Sequence, residues 1–356
     1  MSGGYGAYAM ARHHVVAFIR NLKATRLLSA IAILGLAIGL TGAILMALVV
    51  RTALGFNDFV PDNDRIYLGV SVMNAPGMPP NYNQSSNDGA ALLVDANMPE
   101  VEAAVRLVEE EVGLSRAGTT ATQPIYWADP DFFEVLRLSV LHGDPATALR
   151  RPDAIVMTRI EAIRHFGRED AVGEAIEVAG NPMVLRAVLA DLPDNATDLE
   201  NGIFASGLAA QSPLSGQITA KADQFSIGAR TYLRLRSGAS AEQVEERLNS
   251  LIAGLLPPFM RDAYSMELVR IDRIALHEGF HPDARSRLEI GSLVAGLILF
   301  IAIANFINLS VALSGRRRRE IGIRKASGAS RRQIAAQFLG EAVATVLASP
   351  RRGAQE

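Results

Sequence analysis

Two stretches of the chain carry no charge. Residues 27–50 and 290–315 run for 24 and 26 residues without Asp, Glu, Lys or Arg. As helices they reach about 36–39 Å, enough to cross a bilayer core of ~30 Å. The first run is too long for the apolar part of a signal peptide, and no small-x-small cleavage site follows it, which predicts a retained anchor. Ahead of it, Val15, Phe18, Ile19 and Leu22 recur at helical spacing against Arg12, Arg20 and Lys23. That pattern predicts an amphipathic helix on a membrane surface. Between the two runs the period shifts. Ile66–Met73, Ala154–Met157, Ala175–Ala179, Val184–Leu189 and Thr231–Leu235 predict strands, with a turn at Gly180-Asn181-Pro182. Residues 74–90, rich in Pro, Asn, Gly and Ser, predict an irregular loop. Thr158 with Glu161 forms a capping-box pattern for a short helix that stops at Gly167. Ser240 with Gln243 opens another, with Val244, Leu248, Leu251 and Ile252 on one face. The fold class that follows is a membrane protein in which two transmembrane α-helices flank an α+β extracytoplasmic domain. Its expected parts are a cytoplasmic segment 1–26, helices 27–50 and 290–315 around an outer domain 51–289, a cytoplasmic segment 316–341, and a tail 342–356.

Charge gives the orientation. The chain is 49% hydrophobic with a formal net charge of −2, which conceals a separation. Residues 51–289 hold 21 basic against 34 acidic residues, a net of −13, and the flanking pieces hold 14 against 3, a net of +11. Arginine and lysine collect on the cytoplasmic side of membrane spans. Arg12, Arg20, Lys23 and Arg26 precede the first run, and Arg316 to Arg319 follow the second. Both termini are therefore expected in the cytoplasm, with the acidic middle beyond the membrane and lipid around both runs. The position of the arginine cluster accounts for it without nucleic acid. The absence of cysteine fits an oxidising compartment only loosely.

Polar positions inside the runs point to helix packing. Gly35 and Gly39 lie four apart in the first, and Asn305 and Asn308 three apart in the second. Small residues let helices approach, and an amide in hydrocarbon seeks a partner helix; lining a transport path is the lesser alternative. Chemistry is sparse elsewhere. His277-Glu278-Gly279-Phe280-His281 matches the zinc-protease pattern formally, but Gly279 and Pro282 argue for a turn rather than the helix such a site needs. His142 and His165 have no evident partner. Asp62, Asp64, Asp129 and Asp131 read as turn and cap residues. No phosphate-binding loop or nucleophile elbow occurs. No catalytic residue, metal ligand or cofactor site is expected, and the chain is not expected to be an enzyme.

The stretch Arg318-Arg319-Glu320-Ile321-Gly322-Ile323-Arg324-Lys325-Ala326-Ser327-Gly328-Ala329-Ser330-Arg331-Arg332-Gln333-Ile334, continuing through Gln337 to Ala342, resembles the signature of MacB/FtsX-type ABC transporter permeases. Ile33 to Gly39, Asn63-Asp64-Arg65-Ile66-Tyr67, Asp129-Pro130-Asp131-Phe132-Phe133 and Gly143-Asp144-Pro145-Ala146 agree with the membrane-anchored MacB-like core domain of that family. The resemblance covers roughly residues 12–348. It implies an inner-membrane permease with residues 51–289 in the periplasm and no ATP site of its own. It implies a separate ABC ATPase subunit docking on the coupling segment, at Glu320, Ile321, Gly322, Ile323, Arg324, Lys325, Gly328, Ala329, Ser330, Arg331, Arg332 and Gln333. Further permease helices or a second permease copy, and a periplasmic adaptor or outer-membrane partner, complete the implied partners. The family places more membrane helices after the coupling segment, whereas here the apolar stretch 342–348 meets Pro350 and a polar tail. The chain is thus expected to be the N-terminal part of a permease. The alternative from another class is a two-span sensor or scaffold with a periplasmic ligand-binding domain.

Overall fold

The structure, a computed structural model, describes residues 26–116, 118–215 and 227–314. These divide into two units, Leu48–Glu289 and the parts of two long helices outside it. The helices are α1 (Arg26–Leu54) and α7 (Ala284–Ser314). Each contains a segment long and apolar enough to span a bilayer, Leu34–Leu54 and Ala284–Asn305.

The outer unit is an α+β domain on a 12-stranded sheet. Its elements in order are β1 (Ile66–Met73), β2 (Asn81–Asn83), β3 (Ser86–Asn87), α2 (Ala90–Asn97), β4 (Val101–Arg116), β5 (Thr119–Ala128), α3 (Phe132–Val135), β6 (Val140–Gly143), α4 (Pro145–Ala148) and β7 (Ala154–Thr158). There follow α5 (Arg159–Phe166), β8 (Ala175–Val178), β9 (Asn181–Leu189), β10 (Ile203–Ser206), β11 (Ile227–Leu235), α6 (Ala241–Leu255) and β12 (Tyr264–Arg270). The main path is β12-β1-β11-β4-β5-β10-β7-β9-β6, with β2 beside β1 and β3 beside β11. Strand β8 pairs with both β9 and β4. The neighbour relations β4-β5-β10-β7-β9-β8 therefore close on themselves into a ring.

Alternation assigns side chains to two faces. Ile125, Trp127, Ile155, Met157, Ile203 and Ala205 fill the core enclosed by the ring, where Ala162 and Phe166 of α5 also pack. Their neighbours Tyr126, Ala128, Val156 and Phe204 point the other way, into a core shared with Ile66, Leu68, Val70, Phe132, Phe133 and Tyr232. On the far side of β1 and β11, helices α2 and α6 bury Val94, Val244, Leu248 and Ile252 against Leu233, Leu235 and Met266. Strands buried on both faces read as continuous apolar runs, which is why Ala154–Met157 was legible as a strand.

Several local expectations need correction. The loop 74–90 contains the short strands β2 and β3, because β1 and β11 each leave a free edge there. The turn between β8 and β9 is Ala179-Gly180, both with positive φ (50° and 76°), while Asn181 and Pro182 already pair with Val178 and Glu177. Two left-handed residues match the twist of a tight hairpin. Thr158 precedes α5 without a side-chain cap bond, since its hydroxyl is packed against Gly202, where a Cβ would come within 2.4 Å of Oγ1. Asp191 caps instead, accepting the Ile160 N–H at 2.8 Å. Glu161 turns to Arg164 and to His165, 2.6 and 3.6 Å away, so His165 does have partners, including Gln123 at 3.3 Å. Ser240 accepts the Gln243 N–H at 3.3 Å, and Gly167 ends α5 in the left-handed region.

Asp129 is more than a turn residue. It takes the buried Arg106 guanidinium at both oxygens, each at 3.0 Å, and the Arg106 N–H at 2.7 Å. Its own carbonyl accepts the Phe132 N–H at 3.1 Å, which sets Phe132 and Phe133 into the aromatic cluster with Phe204 and Tyr232. Asp131 pairs with Arg150 at 2.9 Å rather than capping α3. In the next motif, Gly143 has φ +84°, and a Cβ there would lie 2.3 Å from the Arg186 carbonyl oxygen.

Two stability outcomes follow. Asp129→Ala leaves a buried guanidinium uncompensated and should cost about 3–5 kcal/mol. Gly143→Ala combines left-handed backbone with a clash against backbone and should cost about 2 kcal/mol or more. Denaturation midpoints of the detergent-solubilised chain check both; a shift in neither would contradict the packing described.

Candidate functional site

The point where the outer domain receives the chain from α1 is built from polar groups. Helix α1 closes with the Gly55 N–H on the Arg51 carbonyl at 2.8 Å. Asn57 then turns into the left-handed region at φ 56° and is almost wholly buried, 1% exposed. Its Nδ2 donates to Asp198 Oδ1 at 2.8 Å and to the Ile271 carbonyl at 2.9 Å. Its backbone N–H donates to the Ala196 carbonyl at 2.8 Å. Asp198 also accepts from the Tyr232 hydroxyl, at 2.5 Å. Burial, and then the Asp198 charge, push the Tyr232 hydroxyl well above its ordinary range, so it remains a donor.

Five residues further on, Asp62 serves as a second hub. It is left-handed at φ 57° and leads a short turn, Asn63–Arg65, without a side-chain cap. Its Oδ2 meets Arg65 and Arg234 at 3.0 Å each and Arg137 at 3.4 Å. Arg234 is fully buried and gives its other amine to the Val135 carbonyl at 2.5 Å. Hydrogen bonds from Arg65 and Arg234 hold the Asp62 carboxyl below the usual carboxylate range. Arg65 and Arg137 also reach Glu102, at 3.5 and 3.6 Å. The Asn63-to-Tyr67 motif thus feeds β1 under a carboxylate that three arginines share.

The chain leaves through β12, the turn Ile271–Leu276 and residues 277–283. His277 to His281 form a turn: the His277 carbonyl accepts the N–H groups of Phe280 and His281, at 3.2 and 2.9 Å. His277 Nε2 lies 3.0 Å from Glu267 Oε1, its ring edge-on to Tyr82. Gly279 sits on the Tyr82 ring, where a Cβ would come within 2.3 Å of Cγ. Among the described residues no group of three His, Cys, Asp or Glu side chains is arranged to hold a metal.

In the helical unit, Gly39 of α1 is buried against α7: a Cβ there would lie 2.7 Å from Ala302 Cβ and 3.3 Å from the Ile298 carbonyl oxygen. A Cβ on Gly35 would lie 3.4 Å from Asn305 Nδ2. Close approach of backbone at small residues is what dispersion-driven packing in lipid requires. Leu34, Ile38, Leu45, Leu293, Leu297 and Phe300 remain exposed on the pair. Asn308 lies within α7, and its side chain is outside the described residues, as are all the coupling positions from Glu320 to Gln333. Nothing local marks Asn57 or Asp198 as partners or Asp62 as more than a turn residue, because their pairing joins positions up to 214 residues apart.

Residues 29–251 match the MacB-like periplasmic core domain, and residues 292–349 match the FtsX-like permease C-terminal domain. No curated protein sequence matches the chain. Among solved structures, a domain assigned to a permease protein from Porphyromonas gingivalis is similar at 19% identity and TM-score 0.48, over 59% of this chain and 91% of that one. The periplasmic region of MacB from Actinobacillus actinomycetemcomitans is similar at 13% identity and TM-score 0.42, over 62% and 94%. The extracellular domain of the noncanonic ABC-type transporter YknZ from Gram-positive bacteria is similar at 12% identity and TM-score 0.38, over 56% and 98%. With one match running from the first apolar helix through most of the outer domain and the other covering most of the second helix, this chain belongs to the MacB/FtsX-type permease family.

Proposed function

We propose that the chain is the permease subunit of an ABC transporter, converting ATP hydrolysis by a separate ATPase into movement of its periplasmic domain. The observation that carries this reading is family membership over both the core domain and the permease segment. The ATPase docks on the coupling segment, at Glu320 to Arg324, Lys325, and Gly328 to Gln333. Its nucleotide cycle shifts the two membrane helices. The outer domain is suited to receive that shift, since the strand that follows the first helix and the strand that precedes the second, β1 and β12, pair with each other from Tyr67↔Arg270 to Met73↔Tyr264. Movement at either end therefore enters a common ladder. The work is export of a substrate or signalling across the envelope, with an adaptor or outer-membrane protein taking up the movement. The protein resides in the inner membrane, with both termini in the cytoplasm.

Two experiments test this. The natural absence of cysteine makes single introduced cysteines unambiguous labels. Thr119→Cys should react with a membrane-impermeant maleimide in spheroplasts, and Ser2→Cys only after the membrane is opened; the reverse pattern would sink the orientation. Arg324→Glu combined with Gly328→Pro should leave membrane insertion intact. The ATP hydrolysis copurifying with the chain should fall about tenfold, the scale of an ordinary coupling free energy. Unchanged hydrolysis would count against the docking segment.

A further inference from the structure

We propose that Asn57 is a releasable latch that fastens the linker leaving the first membrane helix to the outgoing end of the outer domain. One side-chain amide holds two distant segments at once, the Asp198 carboxylate and the Ile271 carbonyl at 2.8 and 2.9 Å. The Asn57 N–H holds the Ala196 carbonyl at 2.8 Å. The linker, the loop 194–198 and the start of the turn after β12 thus meet on one residue, three positions beyond the end of α1.

Two features make this contact a latch rather than ordinary core. The linker's apolar holds are shallow: Phe56 and Phe59 pack against the core only partly buried, and Val60 alone of residues 55–62 joins it fully. Segments held by few buried apolar contacts open at lower free energy than core strands. Moreover, three of the four described non-glycine residues with positive φ lie here: Asn57, Asp62 and Asn195. Such backbone persists only where surrounding bonds over-determine it, and at Asn57 those bonds are the three named together with the Val60 N–H and Asn63 Nδ2 on its carbonyl, at 3.1 and 3.3 Å. Removing the amide takes the Asn57 donor from Oδ1 of a carboxylate that is 8% exposed, so the loss falls on the loop as well as on the linker. The Tyr232 hydroxyl continues to hold Asp198 to β11, so the loop keeps a tie to the sheet when the Asn57 amide lets go.

This inference deepens the permease reading, for which it supplies the point where a pull from the first helix is shared with the domain's outgoing end. The test does not need the ATPase, so its failure and the failure of that reading are separable. Amide hydrogen exchange is followed in the full chain in nanodiscs, comparing wild type with Asn57→Gly. Glycine adopts the left-handed conformation without strain, so the substitution removes the side chain and its two hydrogen bonds without a backbone clash. Exchange at residues 57–65 and 196–199 should accelerate about tenfold or more, while β7 and β9 keep their wild-type rates. Asp198→Asn, which keeps the shape and removes the charge, should accelerate the same segments by a smaller factor, and decides the matter if Asn57→Gly does not fold. Equal acceleration throughout the domain would make Asn57 a general structural residue, and unchanged exchange in the linker would leave no latch; either result overturns the proposal.

Discussion

A domain inserted between two apolar helices must tie down both of its ends, and in this protein polar groups do so. Asn57 and Asp62 are the two residues on which the incoming linker turns, and each is satisfied by groups far away in sequence. Hydrogen bonds and ion pairs with fixed partners specify one arrangement, where apolar packing alone accepts several. The fully buried Arg234 shows how strict the arrangement is. Its guanidinium is compensated by a carboxylate from the linker and a carbonyl from α3, so displacing the linker leaves a charge with reduced compensation. The positions that hold the domain to its linkers are therefore few and identifiable.

Behind this root the outer domain is a continuously packed body. Strands such as β7 and β10 are buried on both faces, and the ring of strands closes through β8, so pairing there is continuous. Close-packed interiors transmit displacement instead of absorbing it. The Arg106–Asp129 pair and the aromatic cluster it orients fasten β4 and β5 to α3 within that body. In the helical unit, Gly39 brings α1 against Ala302 with no side chain between. A contact of that kind resists separation while permitting small shifts, which suits the proposed role.

What could be read from the chain depended on whether the signal was local. Ile66–Met73 emerged as a strand over its full length, and Ser240 as a cap, because neighbours in sequence decide both. The longest strand pair, β4–β5, escaped notice. Glu109, Glu110 and Glu111 interrupt its alternation, and only the fold supplies Asn201, Arg230 and the Trp127 indole as partners. Thr158 misleads for the opposite reason: a valid local cap pattern loses to Asp191, which takes the Ile160 N–H from 31 residues further on. The histidine motif is likewise a turn in which His277 answers Glu267 and Tyr82.

The sequence by itself determined the two apolar helices, the charge asymmetry about them and the family. Each is carried by composition or by contiguous residues, and the cost of placing charge in hydrocarbon acts wherever the chain folds. Only the tertiary structure decided which acidic side chain answers which arginine, how the sheet closes, and that Asn57 joins both ends of the outer domain. A buried polar group must find a partner, but nothing in its local sequence names that partner. The choice falls to whichever distant segment the packing of the sheet brings within 3 Å, as it brings Ile271 and Asp198 to Asn57.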